Sequence, residues 1–125
     1  MKVLVYGREP LKTKTTSILT GYGMEVIDIS RTAEMPVALD SCEKPHLALI
    51  DRKAKDATGV SEFIQELWGI FTVLIIGSDK EDWQGLESFM ASGYVPDTFS
   101  NDELIARLLA IHRRAISLSQ EVIAG

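Results

Sequence analysis

Cysteine occurs once and histidine twice in this chain of 125 residues. No disulfide framework can form within it, and the His/Cys sets that hold structural zinc are out of reach. Basic residues are the scarcer charge: 13 Lys and Arg stand against 18 Asp and Glu, a formal net charge of −5. A surface of that sign is a poor match for nucleic acid or an anionic membrane, both of which select basic patches. Long apolar runs are missing too. None approaches the roughly 20 residues of a membrane span, and Val3-Leu4-Val5 is too short for the apolar core of a signal peptide. The expectation is one soluble, cytoplasmic domain, whose 46% hydrophobic content supplies a core without covalent staples.

What is present is a regular alternation. Short apolar runs occur at Val3-Leu4-Val5-Tyr6, Glu25-Val26-Ile27-Asp28-Ile29, Leu47-Ala48-Leu49-Ile50 and Val73-Leu74-Ile75-Ile76, with a weaker one at Tyr94-Val95 stopped by Pro96. Runs of this length, rich in Val and Ile and closed by turn residues, read as strands buried on both faces. The second alternates with charge, as a strand near a sheet edge would. Helical patterns lie between them. Leu11 to Leu19 ends near Gly21 and Gly23, either of which supplies a left-handed terminus. Ala33 to Leu39 is short, because Pro36 fits only a first turn. Val60, Phe63, Ile64 and Leu67 repeat at i, i+3, i+4, i+7, and Trp83, Leu86, Phe89 and Met90 share that spacing. Ser100 with Glu103 makes a capping-box signature for a long last helix. Strand and helix in alternation predict β-α-β units, right-handed crossovers and a doubly wound α/β sandwich around a parallel sheet.

In an open parallel sheet, ligands gather beyond the C-terminal ends of the strands. The residues there are Gly7-Arg8-Glu9-Pro10, Asp51-Arg52-Lys53, Gly77-Ser78-Asp79 and Pro96-Asp97-Thr98. Asp51 follows an apolar strand directly, so its position is fixed by the strand. A carboxylate held so is a nucleophile, a metal ligand, an acceptor of loop amides, or simply the residue that ends the strand.

Leu4 to Pro10, Gly21-Tyr22-Gly23-Met24-Glu25-Val26, Pro45 to Asp51 with Gly59 beyond it, Thr72 to Ser78, and Ser92-Gly93-Tyr94 through Phe99-Ser100 and Glu103-Leu104 resemble, in order, the receiver domain of two-component response regulators, the CheY-like family. The likeness runs over residues 2–115. It implies a (βα)5 fold with five parallel strands in the order 2-1-3-4-5, residues 1–116 as the receiver-like domain, and 117–125 as an extension of the last helix or a linker stub. It makes Asp51 the phosphoacceptor equivalent and Tyr94 the aromatic switch equivalent.

The departures from that family are as informative. The two acidic residues that receivers use to hold Mg²⁺ fall on Gly7 and Arg8, with Glu9 one step further along. The hydroxyl position after the fourth strand falls on Gly77, next to Ser78, and the Lys-Pro position on Asp97-Thr98. A guanidinium repels the hard cation that carboxylate oxygens hold. Phosphoryl transfer needs its developing charge neutralised, and each lost electrostatic donor costs about 3–4 kcal/mol. The expectation is therefore a degenerate receiver without Mg²⁺ or any other cofactor, and without catalysis. Arg8 stands in the vacated volume and pairs with Asp51 through a planar fork; Lys53 and Lys55 read as loop cations. The alternative keeps Mg²⁺ and phosphorylates Asp51, with Glu9 as a shifted ligand and Ser78 as hydroxyl donor. A lesser alternative is a flavodoxin-like small-molecule binder, which lacks a phosphate-cradling glycine pattern here.

Leu104, Leu108, Ile111, Ala115, Leu118 and Val122 are spaced 4, 3, 4, 3, 4, a heptad-like seam beside a stripe of Ile105, Leu109, Ile116 and Ile123. That seam reads either as one wide core-facing surface or as a dimerising or signal-passing helix. Expected partners are a protein or attached output domain and, through this helix, a second copy. Membranes are not expected, nor is direct contact with nucleic acid. The resemblance places the contact face on the helix before the fifth strand, that strand, and the last helix. Trp83 reads as core or rim packing, and Cys42 as a small buried apolar residue. His46 has no His or Cys nearby in sequence, and His112 reads as a surface residue.

Overall fold

The structure, a computed structural model, describes residues 1–29, 44–77, 80–84, 89 and 91–124, and of residues 29, 81, 82 and 117–124 the backbone alone. Five strands form one parallel sheet: β1 (Lys2–Tyr6), β2 (Glu25–Ile29), β3 (Leu47–Asp51), β4 (Phe71–Ile76) and β5 (Gly93–Pro96), in the order β2-β1-β3-β4-β5. The helices are α1 (Leu11–Gly21), α2 (Ala57–Trp68), the single turn α3 (Lys80–Trp83) and α4 (Asn101–Ala124). This is the flavodoxin/CheY-like arrangement: the alternation of strands and helices predicted the doubly wound parallel sheet, and the resemblance implied its order. The short helix expected over 33–39, together with Cys42, Ser78, Leu86 and Met90, lies outside the described residues.

Strand side chains alternate between faces, and here both faces are covered. Val3, Val5, Leu47, Leu49, Val73, Ile75 and Val95 pack under α1 and α4 with Leu19, Leu104 and Leu108. Leu4, Tyr6, Ala48, Ile50, Leu74 and Ile76 pack under α2 with Val60, Ile64 and Phe89. That two-sided burial is why β1, β3 and β4 are apolar without alternation. β2 is an edge strand, in line with its alternating charge. β5, the other edge, includes Pro96, which the sequence reading placed outside it. Pro96 closes the ladder opposite Ile76, where a missing N–H is tolerated.

Gly21 is the last residue of α1, and Gly23, just past the helix end, supplies the left-handed conformation with a φ of 79°. Other helix expectations need correction. On α2 only Val60 and Ile64 of the apolar stripe are buried, whereas Phe63 and Leu67 face solvent. Ser100 caps α4 by accepting the Glu103 N–H at 3.2 Å, while the Glu103 carboxylate turns forward to Arg107 Nε at 3.3 Å. Leu104, Leu108 and Ile111 are buried against the sheet. A second helix cannot reach them without displacing the sheet, so the first half of the heptad-like seam is core. Ala115 is half-buried, and the Leu118 and Val122 side chains lie outside those described. Among the described residues, the exposed large apolar side chains of α4 are Leu109 (40%) and Ile116 (46%), from the neighbouring stripe.

Candidate functional site

Asp51 ends β3 and is the one buried charged residue among those described. Because β3 lies between β1 and β4, the residues that follow β1 stand directly beside it. Arg8 donates three times to its carboxylate: from its backbone N–H to Oδ2 at 3.2 Å, from Nε to Oδ2 at 2.8 Å, and from Nη2 to Oδ1 at 3.4 Å. The Lys53 N–H reaches Oδ1 at 3.0 Å. The Arg8 side chain is 52% exposed and that of Asp51 3%, so the guanidinium lids a carboxylate that the strands have drawn out of water. Gly7 makes this possible. A Cβ at that position would sit 2.9 Å from Cβ of Asp51, closer than side chains approach one another.

The other described pocket residues, Glu9, Gly77 and Asp97, do not converge on Asp51. Glu9 turns to the first turn of α1, where its carboxylate accepts from the Thr13 hydroxyl and lies 3.6 Å from Lys12 Nζ. The same ammonium is 3.4 Å from Asp28. Gly77 is buried, and its carbonyl accepts the Trp83 indole N–H at 3.1 Å. Asp97 is exposed, with its N–H on the Ile76 carbonyl at 2.9 Å. This donor set does not fit a hard divalent cation, which needs several convergent oxygens. Among the described residues one carboxylate is present here, and a guanidinium already engages both of its oxygens.

Tyr94 is exposed on β5 and packs against Trp83, 6.2 Å between ring centroids. Trp83 is 55% exposed, a rim residue and not a core one. With Ile76, Val95, Pro96 and Arg107 the two aromatics line a shallow groove of about 150 Å³. Arg107 Nη1 donates to the Tyr94 carbonyl at 3.2 Å and holds the α4 side in place. The groove lies on the face formed by α3, β5 and α4.

Two features escape a reading along the chain. Arg52 extends the β3 ladder, with its N–H on the Ile75 carbonyl at 3.0 Å. Its side chain lies over the Phe89 ring, 4.9 Å from the centroid, and Nη2 donates to the Gln84 carbonyl at 3.0 Å. The alternation of faces along β3 was the available signal: if Asp51 points to one side, Arg52 points to the other. At the opposite end of the sheet, His46 meets His112 edge-on at 5.2 Å, so it does have a histidine neighbour. Nδ1 of His46 accepts the Lys2 N–H at 3.0 Å. Burial first, then His46, then the amino terminus, push the His112 imidazole below its ordinary value.

No protein-family model matches this chain, and neither does any curated protein. Solved structures do. The N-terminal domain of a response regulator/sensory box/GGDEF three-domain protein from Carboxydothermus hydrogenoformans is similar with a TM-score of 0.79 at 19% identity, over 95% of this chain and 99% of that one. A response regulator receiver domain protein from Clostridium thermocellum gives 0.77 at 17% identity, over 94% and 98%. NtrX from Brucella abortus, in complex with ATP, gives 0.81 at 17% identity over 97% of this chain, which spans 28% of that one. The fold is that of response regulator receiver domains.

Proposed function

We propose that this domain is a signalling module of the receiver kind that acts through protein contacts, without Mg²⁺-dependent phosphoryl transfer and without enzymatic activity of its own. The observation that carries this reading is the Arg8–Asp51 pair. An acceptor carboxylate must present a lone pair to phosphorus while cations neutralise the oxygens of the transferred group. Here both oxygens of Asp51 are engaged by N–H donors, and the residue beside them is a cation. The rival reading uses Glu9 as a metal ligand, but Glu9 is engaged with Lys12 and Thr13 on α1. The Trp83–Tyr94 groove, about 150 Å³, is smaller than the roughly 300–1,000 Å³ of ligand pockets and suits a protein side chain better than a small molecule.

The groove is the contact surface this reading needs, with two aromatics and an arginine on one exposed rim, residue types enriched where proteins bind. Leu109 and Ile116, seven residues apart and solvent-facing on α4, supply a second apolar stripe for an attached output domain or a second copy. The deciding experiment follows the backbone amides of residues 51–53 by NMR as MgCl₂ and then beryllofluoride are added. These resonances stay in place if the reading is right. Saturable shifts that require Mg²⁺ would establish the phosphorylatable alternative.

A further inference from the structure

Asp51 and Arg52 are consecutive, yet strand alternation sends them to opposite faces of the sheet. Asp51 meets Arg8 on one side; Arg52 crosses to Phe89 and the Gln84 carbonyl on the other. Gln84 directly follows α3, whose last residue is Trp83. The helical turn that carries one wall of the groove is thus bonded at two points to strand tips: through Arg52 to the tip of β3, and through the Trp83 indole to the Gly77 carbonyl beyond β4. Gly77 offers no side chain for a link between Asp51 and the groove. The Arg52 guanidinium, stacked on a ring and bonded to a carbonyl, is the side-chain connection that the described residues provide.

We infer that Arg52 is the coupling residue of this domain: it transmits the state of the Asp51–Arg8 pair to the Trp83–Tyr94 groove. The inference rests on the reading of that groove as the contact surface. A change in the partners of Asp51 moves the 51–53 turn, because the Arg8 and Lys53 N–H groups are fastened to one carboxylate. Arg52 lies within that turn, so its fork is withdrawn from Gln84 or driven toward it, and α3 shifts with Trp83. Coupling of this kind is physical only if removing the linker abolishes the response at the far site.

The full chain carries its own reporters, since it has two tryptophans. The Trp83 indole N–H sits at the groove, and Trp68 ends α2 as an internal reference. Asp51→Asn is compared with wild type by indole ¹H–¹⁵N NMR, then again in an Arg52→Met background, which keeps an apolar stem over Phe89 and removes the fork. The expected result is a Trp83 shift on Asp51→Asn in wild type that falls at least about fivefold in Arg52→Met, with Trp68 unmoved. An equal Trp83 shift in both backgrounds overturns the inference, and so does a Trp83 resonance that ignores Asp51→Asn altogether. If Arg52→Met unfolds the domain, as a displaced Trp68 resonance would reveal, Arg52→Gln is read by the same criteria. The Mg²⁺ titration above decides the metal-free reading separately, because the Arg52 link can hold or fail in a domain that binds Mg²⁺.

Discussion

Arg8 Nε lies 2.8 Å from Oδ2 of Asp51, and Nη2 lies 3.4 Å from Oδ1. The two residues are 43 positions apart in sequence and meet because β1 and β3 are neighbours. Arg8→Met removes the guanidinium from a buried carboxylate and leaves it the main-chain N–H groups of residues 8 and 53. Water reaches the half-exposed guanidinium side, so the cost is about 1–3 kcal/mol and not the full penalty of an orphaned interior charge. Asp51→Asn costs less, since Arg8 can be hydrated. Urea unfolding of both single variants and the double variant should return a coupling energy above about 0.5 kcal/mol. A coupling of zero would mean the pair contributes nothing to stability.

The absence of a side chain at position 7 is a steric requirement. Gly7→Ala puts a methyl 2.9 Å from Cβ of Asp51, and neither atom sits at the end of a flexible chain. Overpacking of this kind costs about 1–3 kcal/mol. The midpoint of urea unfolding should fall accordingly, and the amides of Arg8 and Lys53 should shift. A variant as stable as wild type would contradict the close approach.

Thr15 is fully buried in α1, and its hydroxyl has no hydrogen-bond partner among the described residues. Thr15→Val keeps the β-branched shape and removes the unpaired group. Helix propensity is nearly the same for the two residues, so the change should stabilise the domain by about 1 kcal/mol. Thermal unfolding checks this, and a lower Tm would show that the hydroxyl is satisfied.

His112 gives the domain a pH dependence of definite sign. Its folded value lies below the ordinary 6.5, chiefly through burial and then through His46. As pH falls through 6.5, the unfolded chain takes up a proton that folded His112 resists. This contribution to stability is therefore complete above that pH, is lost as pH drops, and levels off below the folded value. His112→Gln should flatten the stability profile between pH 8 and 5. NMR titration of wild-type His112 should give a midpoint under 6.5 that rises in His46→Gln. A midpoint above 6.5 would reverse the sign.

The strands were legible because β1, β3 and β4 are covered on both sides and so write uninterrupted apolar runs. Their order followed from the family resemblance, and with it the nearness of Arg8 to Asp51. Spacing was a weaker guide on α4. Leu104, Leu108 and Ile111 follow the same rhythm whether they face a sheet or a second helix, and only the sheet's position distinguishes the two. Nothing local marked His46 and His112 as neighbours, because their contact depends on where α4 comes to rest. Arg52 was named among the strand-tip residues without a role of its own, although the parity of β3 continues through it. The exposure of Trp83 was hidden by its i, i+3 relation to Leu86, a pattern that assumed a helix longer than the described turn.

β5 is four residues long, is the outermost strand on its side of the sheet, and closes on Pro96. A flank that brief offers too few main-chain groups to template a sixth strand. A protein that docks there must therefore discriminate by side-chain shape and charge, which single substitutions can retune without disturbing the sheet behind them.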